Sequence, residues 1–343
     1  MFLIYDFWYL IFEIAFVIVI GIGFDFCKFA MFEKRTLFMS QNTSVIDKTY
    51  KKLTVQVSLT GLSFACFDTL TNTVIALQNI AIDSFPKNTP IEDLFAEAFR
   101  NHPELKSNYD EIVIVHSNNL STFVPTALFD EDYLGSYLQF NTKVFETDFF
   151  TFDALEKYEM NNVYIPYVNM NNYFIDQFGT FDYKHANSIL VNKLLDISKN
   201  NEELQLFVHV SDGHFEIIVI QNQKLQLFNS FDYKTPEDFI YYILFTAEQL
   251  HLNPESFKME LLGAIAEGDS LFSIAYKYVR NISLFDVSAI QNNFSEAENR
   301  QHFILLHSWE LFLANTKADA LVRQKIFLFV PPRIWVKRHC LTF

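Results

Sequence analysis

The feature that most limits the fold of this chain is an ordered set of elements that occurs twice, about 150 residues apart. The first copy begins with an alternating strand at Leu53 to Val57, which returns through a tight turn at Thr60-Gly61. The second copy begins at Leu204 and turns at Asp212-Gly213. In each copy, a third strand, a helix and a buried strand follow in the same order.

The same helix-start signal opens the helix of both copies. Thr89-Pro90 and Thr235-Pro236 each place Thr as the N-cap and Pro at the first helical position, with two carboxylates in the first turn. Two readings stay open, a duplicated lobe and two unrelated α/β domains. We favour duplication, with a three-strand meander in each lobe extended by parallel strands through helical crossovers.

The pattern predicts the bounds of most elements. The predicted strands are Leu53 to Val57, Leu62 to Phe67, Thr73 to Ile82, Ile112 to Val115, Val163 to Val168, Leu204 to Val210, Phe215 to Ile220, Lys224 to Asn229 and Lys258 to Leu262, and the predicted helices end near His102, Ile197 and Leu250.

Composition excludes several classes of protein. Half of the 343 residues are hydrophobic, which excludes a disordered chain, and only eight are Gly and nine Pro. Cys27, Cys66 and Cys340 share no C-x-x-C spacing, so we expect neither a disulfide framework nor a zinc knuckle, and a reduced, cytoplasmic setting. A net charge of −15 makes nucleic acid an unexpected partner.

The two ends differ from the body of the chain. Residues 1–38 contain nine Phe and an uncharged run from Ile14 to Phe24. This extension has three readings: a single membrane anchor with a cytoplasmic body, a signal peptide, or sequence upstream of a working start at Met39, which we favour. Residues 319–343 form a basic tail. The remaining body has 18 basic and 36 acidic residues, a net charge of −18. We therefore divide the chain into residues 1–38, a first lobe at 39–199, a second lobe at 200–318, and the tail.

The duplicated order is similar to the actin, hexokinase and Hsp70 nucleotide-binding fold. The resemblance implies an α/β protein of two lobes, each with a mixed five-stranded sheet and flanking helices. It also implies a nucleotide in the cleft between the lobes, with phosphates held by backbone amides of the two hairpin turns and a carboxylate near each turn. ATP with Mg²⁺ is the cofactor that this resemblance suggests.

The resemblance implies candidate nucleotide-binding residues at the two turns and at Leu261 to Ile265, which resembles the short adenosine-side turn of such folds. They are Ser58, Thr60, Gly61 and Ser63 at the first turn, Asp212 and Gly213 at the second, and Gly263 at the end of a buried strand. The first turn has no Asp, and neither turn contains Lys or Arg. Since phosphoryl transfer depends on such groups to stabilise charge, we expect a degenerate phosphate site. Asp212 is the one catalytic candidate if the chain is an ATPase, although Asp-Gly is also an ordinary hairpin turn.

Histidines offer a weaker signal. His116, His185, His209 and His214 are spread along the chain, and strand alternation predicts different settings for His209 and His214. We expect no metal site from them. The motifs G-x-S-x-G, G-x-x-x-x-G-K-[ST] and H-E-x-x-H are all absent from the sequence.

Residues from about 40 to 310 resemble the DUF3822 family of Bacteroidetes, whose function is unknown. The resemblance lies in long strings rich in Asn and aromatic residues, which are Val115 to Pro125, Leu128 to Glu131, Tyr137 to Asn141, Asn162 to Asn169, Phe178 to Phe181, Asn229 to Phe231, Glu237 to Phe245, and His302-Phe303. It implies an actin-like ATPase fold without an established activity. Family members typically begin near the position of Met39, and the basic tail after Thr316 has no counterpart in the family pattern.

Together these observations predict a cytoplasmic binding or scaffold module, a pseudoenzyme with an actin-like fold and an unknown protein partner. The alternative is a slow ATPase or a nucleotide-dependent switch of the actin-like class.

Overall fold

The computed structural model describes residues 48–81, 91–145, 147–290 and 292–308. A first mixed sheet has the strand order β3-β2-β1-β4-β8. Its strands are β1 (Lys51–Val57), β2 (Gly61–Asp68), β3 (Thr73–Ala81), β4 (Glu111–His116) and β8 (Asp182–His185). The meander β1, β2 and β3 is antiparallel, whereas β4 and β8 run parallel to β1.

A second mixed sheet repeats this topology with the order β11-β10-β9-β12-β13. Its strands are β9 (Gln205–Val210), β10 (His214–Gln221), β11 (Lys224–Asp232), β12 (Lys258–Gly263) and β13 (Asn281–Leu284). The first three are again antiparallel, and β12 and β13 again extend the sheet in parallel. The predicted duplication of a five-stranded mixed sheet is confirmed.

Helices make the crossovers that parallel strands require. In the first lobe this is α1 (Ile91–Asn101), which buries Leu94, Phe95, Ala98 and Phe99. Its predicted cap at Thr89-Pro90 lies outside the described residues. In the second lobe it is α5 (Pro236–Gln249). There the predicted cap is confirmed, because Thr235 Oγ1 accepts from the amide of Asp238 at 3.2 Å and the Asp238 carboxylate accepts from the amide of Thr235 at 3.0 Å.

An inserted region separates β4 from β8 in the first lobe. It contains a small antiparallel sheet of order β5-β7-β6, with β5 (Ser121–Pro125), β6 (Thr151–Leu155) and β7 (Met160–Tyr164), and the helices α2 (Leu134–Leu138) and α3 (Val168–Phe178). The predicted strand at Val163 to Val168 is wrong in its bounds. Pairing ends at Ile165, because Pro166 has no amide to donate, and α3 begins at Val168.

The two sheets share one hydrophobic core around α4 (Ala186–Ile197). This helix packs on Val113 and Val115 of the first sheet and on Phe207 and Ile218 of the second. After α6 (Ser270–Tyr278) and α7 (Glu296–Gln301), the chain returns to the first lobe through α8 (Phe303–His307). The return is fixed where the Ser308 hydroxyl donates to Thr54 Oγ1 at 2.9 Å.

Besides the Thr89-Pro90 cap, three further predicted features lie outside the described residues: the extension at 1–38, the start at Met39 and the tail at 319–343. Among the helices that the structure does describe, none combines the length and the apolar character needed to cross a bilayer.

Candidate functional site

The two candidate phosphate turns occupy equivalent positions at the carboxyl ends of the central strands. The first follows Val57 of β1, whose register partner on β4 is His116. The second follows Val210 of β9, whose register partner on β12 is Gly263. Ligands of open α/β sheets bind at this end of the strands. Both candidate turns therefore lie at the end of the sheets where such ligands bind.

The first turn uses its own hydroxyl group to occupy its amides. Ser58 Oγ accepts from the backbone amides of Thr60 at 3.2 Å and Gly61 at 3.1 Å, and lies 2.9 Å from Thr60 Oγ1. The Ser58 amide donates to the Gly61 carbonyl at 3.0 Å. A phosphate oxygen would have to displace Ser58 Oγ from these amides, so they are not free donors.

Gly61 and Ser63 belong to strand β2 rather than to the turn. A Cβ atom on Gly61 would lie 2.7 Å from the Ile80 carbonyl oxygen of β3, so the close approach of these strands requires glycine. The Ser63 hydroxyl donates to Asn79 Oδ1 at 2.9 Å across the same strand pair. Both residues thus have structural partners.

The second turn is a two-residue hairpin connection that is held by hydrogen bonds from the residue that follows β11. The Ser211 amide donates to the His214 carbonyl at 2.9 Å, and Gly213 adopts φ +75°, a conformation that glycine reaches readily. The amide and hydroxyl of Tyr233 donate to the carbonyls of Gly213 and Ser211, both at 3.0 Å. Asp212 lies exposed at the tip of the turn, and none of the ion pairs among the described residues includes it.

Gly263 is the register partner of Val210, directly before the second turn, and its glycine character has a local cause. A Cβ atom there would lie 2.1 Å from the Val210 carbonyl oxygen, and φ is +91°. The next amide, of Ala264, donates to that same carbonyl at 2.7 Å. Because Gly263 has no side chain, the backbone at the end of β12 can lie in close contact with the backbone of Val210 at the end of β9.

Behind the second turn, two histidines share one buried carboxylate. Glu216 Oε2 lies 2.8 Å from His209 Nδ1, and Oε1 lies 3.4 Å from His214 Nε2. Burial alone would raise the pKa of Glu216, but the hydrogen bonds and charges of the two histidines outweigh it and lower that pKa to about 2. Burial opposes the charged form of His214, yet the bond to Glu216 leaves its pKa raised. His209 and His214 differ in exposure, 8% against 28% of the side chain, as the prediction of different settings requires, yet both contact the same carboxylate.

At the corresponding end of the first sheet, His116 and His185 are register partners on β4 and β8. The Tyr167 amide donates to His116 Nδ1 at 3.3 Å, while His116 Nε2 lies 2.9 Å from Asn171 Oδ1. In the same way, the Asn187 amide donates to His185 Nδ1 at 3.1 Å, and Nε2 lies 3.2 Å from Asn118 Oδ1. Each ring therefore accepts at Nδ1 and donates at Nε2, which is the neutral tautomer.

Burial is the main reason that these two rings stay neutral. Desolvation lowers the pKa of His116 to about 4, against a smaller opposing effect of Asn171. Desolvation, then the charge of His116, lowers the pKa of His185 to about 3. The negative charge of Glu216 in the second lobe partly offsets that lowering.

A second buried carboxylate, that of Asp153, binds groups at the N-terminus of α4. Asp153 of β6 accepts from the His185 amide at 2.8 Å, from the Ser188 hydroxyl at 2.5 Å and from the Tyr164 hydroxyl at 3.3 Å. Burial raises the pKa of Asp153, and the charge of Lys184 and these bonds act against that rise. A carboxylate at this position also matches the positive end of the helix dipole.

The chemistry available to this region is limited. His116 and His185 are neutral, and the charge of His214 is matched by Glu216, so the strand ends offer no unmatched histidine cation for a phosphate. Across the residues that the structure describes, no three His, Cys, Asp or Glu side chains are arranged to hold a metal ion.

The sequence contains a signal for the pairing of His209 with Glu216 that the strand and turn patterns alone did not reveal. A two-residue turn at Asp212-Gly213 fixes Ser211 opposite His214, and counting back places His209 opposite Glu216, as observed. No comparable count links His116 to His185, because parallel strands are joined through long connections whose register the sequence does not fix.

Comparison with solved structures places this architecture among actin-like proteins. A protein of unknown function with an actin-like ATPase fold from Bacteroides thetaiotaomicron superposes with a TM-score of 0.65 at 18% identity, covering 78% of this chain and 99% of that chain. The PilM-PilN type IV pilus biogenesis complex contains a chain that superposes with a TM-score of 0.50 at 12% identity, covering 76% of this chain and 98% of that one. At these identities the likeness shows the fold alone.

Sequence comparison gives the family. No curated protein matches the chain. The family model DUF3822, described as a protein of unknown function, matches residues 40–282, which is well over half of the chain. The chain therefore belongs to the DUF3822 family and has an actin-like ATPase fold.

Proposed function

We propose that this protein is a binding or scaffold module that uses the actin-like fold as a rigid frame and has a degenerate phosphate site. The observation that carries the proposal is the first turn, where Ser58 Oγ already holds the amides of Thr60 and Gly61. A nucleotide would compete with an intramolecular ligand there, and it would find no Lys or Arg within either turn.

Exposed apolar side chains support a protein partner. In the inserted region, Phe140 is 89% exposed and Leu128 is 71% exposed. On the outer helices of the second lobe, Tyr241 is 60% exposed and stacks on Phe245, and Tyr276 is 65% exposed. Contiguous exposed apolar surface often marks an interaction site, and Tyr241 and Phe245 form such a contact. One protein of similar fold was solved in a complex named for two proteins, PilM and PilN, which is consistent with such a role.

The experiment is a calorimetric titration of the full-length chain with Mg-ATP, together with an assay of phosphate release. We expect no binding in the micromolar range and no release above a buffer blank. Ser58→Ala frees the turn amides and is the informative variant, because a gain of nucleotide binding in it would show that the hydroxyl blocks the site.

The alternative, a slow ATPase or nucleotide-dependent switch, rests on Asp212, whose carboxylate is exposed at the second turn without an ion pair among the described residues. Micromolar binding of Mg-ATP with turnover abolished by Asp212→Asn would establish that alternative and defeat the scaffold proposal. Asp176→Asn, at an exposed position of α3, is the matched control and should leave turnover unchanged.

We propose a cytoplasmic location for this module, since the cysteine pattern shows no disulfide framework. A membrane anchor at Ile14 to Phe24 is the competing proposal. Fractionation of cells that express the full-length gene separates the two: we expect a soluble product beginning at Met39, and a full-length chain that sediments with membranes would refute that expectation.

A further inference from the structure

Two strand edges from different sheets line the same cavity. β5 is one edge strand of the small inserted sheet, and β11 is one edge strand of the second five-stranded sheet. Residues of both strands line a cavity of about 320 Å³, in which the rings of Phe123 and Phe228 contact each other with centroids 4.9 Å apart. Edge strands leave backbone donors and acceptors unpaired, which makes them templates for a further strand.

The orientation of β11 follows from one hydrogen bond at its end. The Tyr233 amide donates to the Gly213 carbonyl at 3.0 Å, so this pair is hydrogen-bonded in the ladder with β10. Because bonded and non-bonded pairs alternate along antiparallel strands, Asp232, Ser230 and Phe228 direct their amides and carbonyls away from β10. The Ser230 amide agrees with this assignment, since it donates instead to Asn229 Oδ1 at 3.1 Å.

The orientation of β5 follows in the same way. The amide of Ile165 donates to the carbonyl of Leu120 at 3.1 Å, and the amide of Thr126 donates to the carbonyl of Glu159 at 2.8 Å. Alternation between these two bonded pairs leaves Ser121, Phe123 and Pro125 with their backbone groups directed away from β7. All three residues line the cavity.

The residues that line the cavity include one buried hydroxyl without a hydrogen-bond partner in the described part of the chain and no charged side chain. Ser230 belongs to this lining, and its Oγ is buried without a hydrogen-bond partner among the described residues. The lining contains no Asp, Glu, Lys, Arg or His. An anion or a charged side chain would find no complementary charge in this cavity.

We propose that the cavity between β5 and β11 docks an extended, uncharged segment of a partner protein, which pairs as a strand with the outward backbone groups of Phe228 and Ser230. Main-chain hydrogen bonds on a strand edge are the usual means by which extended peptides bind. The segment replaces the Asn229 side chain at the Ser230 amide. This inference rests on the proposed binding function and gives it a site and a ligand class.

The test uses linear peptides selected from a random display library on the full-length protein, with binding then measured by fluorescence anisotropy. Ser230→Pro is the decisive variant. It removes the outward amide, and it removes no ladder bond to β10 because that amide faces away from the sheet. Asp232→Pro has the same orientation on the same strand but lies outside the lining, and is the matched control.

We expect selected peptides to be uncharged over the docked stretch, to bind Asp232→Pro as they bind the wild type, and to lose about tenfold or more in affinity for Ser230→Pro. Bound peptide should slow hydrogen exchange at the amides of Phe228 and Ser230. If Ser230→Pro does not fold, Ser230→Arg keeps the amide while filling the cavity, and it should abolish binding.

Three outcomes would overturn the inference. The first two are that no peptide is enriched on the wild type relative to Ser230→Pro, and that a selected peptide binds the wild type and Ser230→Pro with equal affinity. The third is that these amides are protected from exchange without peptide and lose this protection when residues 309–343 are removed. The last would assign the cavity to the chain itself. A protein partner whose affinity is unaffected by Ser230→Pro would refute this site and leave the proposed scaffold function intact. Turnover of Mg-ATP would instead refute that function.

Discussion

Acid should destabilise this protein through His116 and His185. Both rings accept a backbone amide at Nδ1, so protonation at that nitrogen removes an accepted hydrogen bond and places a charge in a fully buried setting. Their pKa values are lowered to about 4 and about 3 in the folded protein, against 6.5 for a free histidine. The unfolded chain therefore binds more protons, and stability is lost as the pH falls from about 6.5 toward these folded-state values.

The size of the effect follows from proton linkage. At a pH of about 5, an unfolded histidine is almost fully protonated while each folded ring remains mostly neutral, which costs about 2 kcal/mol per histidine and about 4 kcal/mol for the pair. Domains are typically stable by only about 5–15 kcal/mol. Urea unfolding curves at about pH 7.5 and about pH 5 should therefore show a large fall in the free energy of unfolding.

A variant separates these two histidines from other titrating groups. His116→Gln can still accept from the Tyr167 amide and donate to Asn171, but it does not titrate. We expect it to lower the acid-induced loss by about 2 kcal/mol, and the double variant with His185→Gln to remove most of it. His251→Gln, at an exposed position, controls for the loss of one histidine. If His116→Gln and wild type lose the same free energy of unfolding between the two pH values, the reasoning is refuted.

Three further predictions concern stability. Gly263→Ala should cost about 3 kcal/mol or more in urea unfolding, because its Cβ would meet the Val210 carbonyl oxygen at 2.1 Å, whereas Gly268→Ala has open space and should change stability by about 0.5 kcal/mol or less. Thr235→Ala should cost about 1 kcal/mol in the same assay by removing the capping box of α5, and an unchanged midpoint would contradict that role. Asp153→Asn should cost about 1–3 kcal/mol, because an amide cannot accept all the bonds made to this buried carboxylate, and native-state hydrogen exchange should accelerate at the start of α4. Exchange at α4 that matches wild type would contradict the last prediction.

The fold was largely predictable because its signals are local. Alternating apolar residues, the Asp212-Gly213 turn and the Thr235-Pro236 cap each act within a few residues, and their repetition in the same order predicts two copies of one sheet. The strand predicted at Val163 to Val168 has the wrong end, because Pro166 stops the strand pairing inside an apolar run of sequence. There the apolar pattern continues although the backbone pairing stops.

The candidate site was likewise predictable where its signals are local and not where it depends on long-range contacts. Sequence alone located both turns and Gly263, because turn chemistry requires particular residues. It did not show that Ser58 occupies its own turn amides, that His116 meets His185, or that the outward backbone groups of β5 and β11 line one cavity. These features depend on the register of parallel strands and on the packing of separate sheets, which join residues distant in the chain through many weak contacts that no short segment encodes.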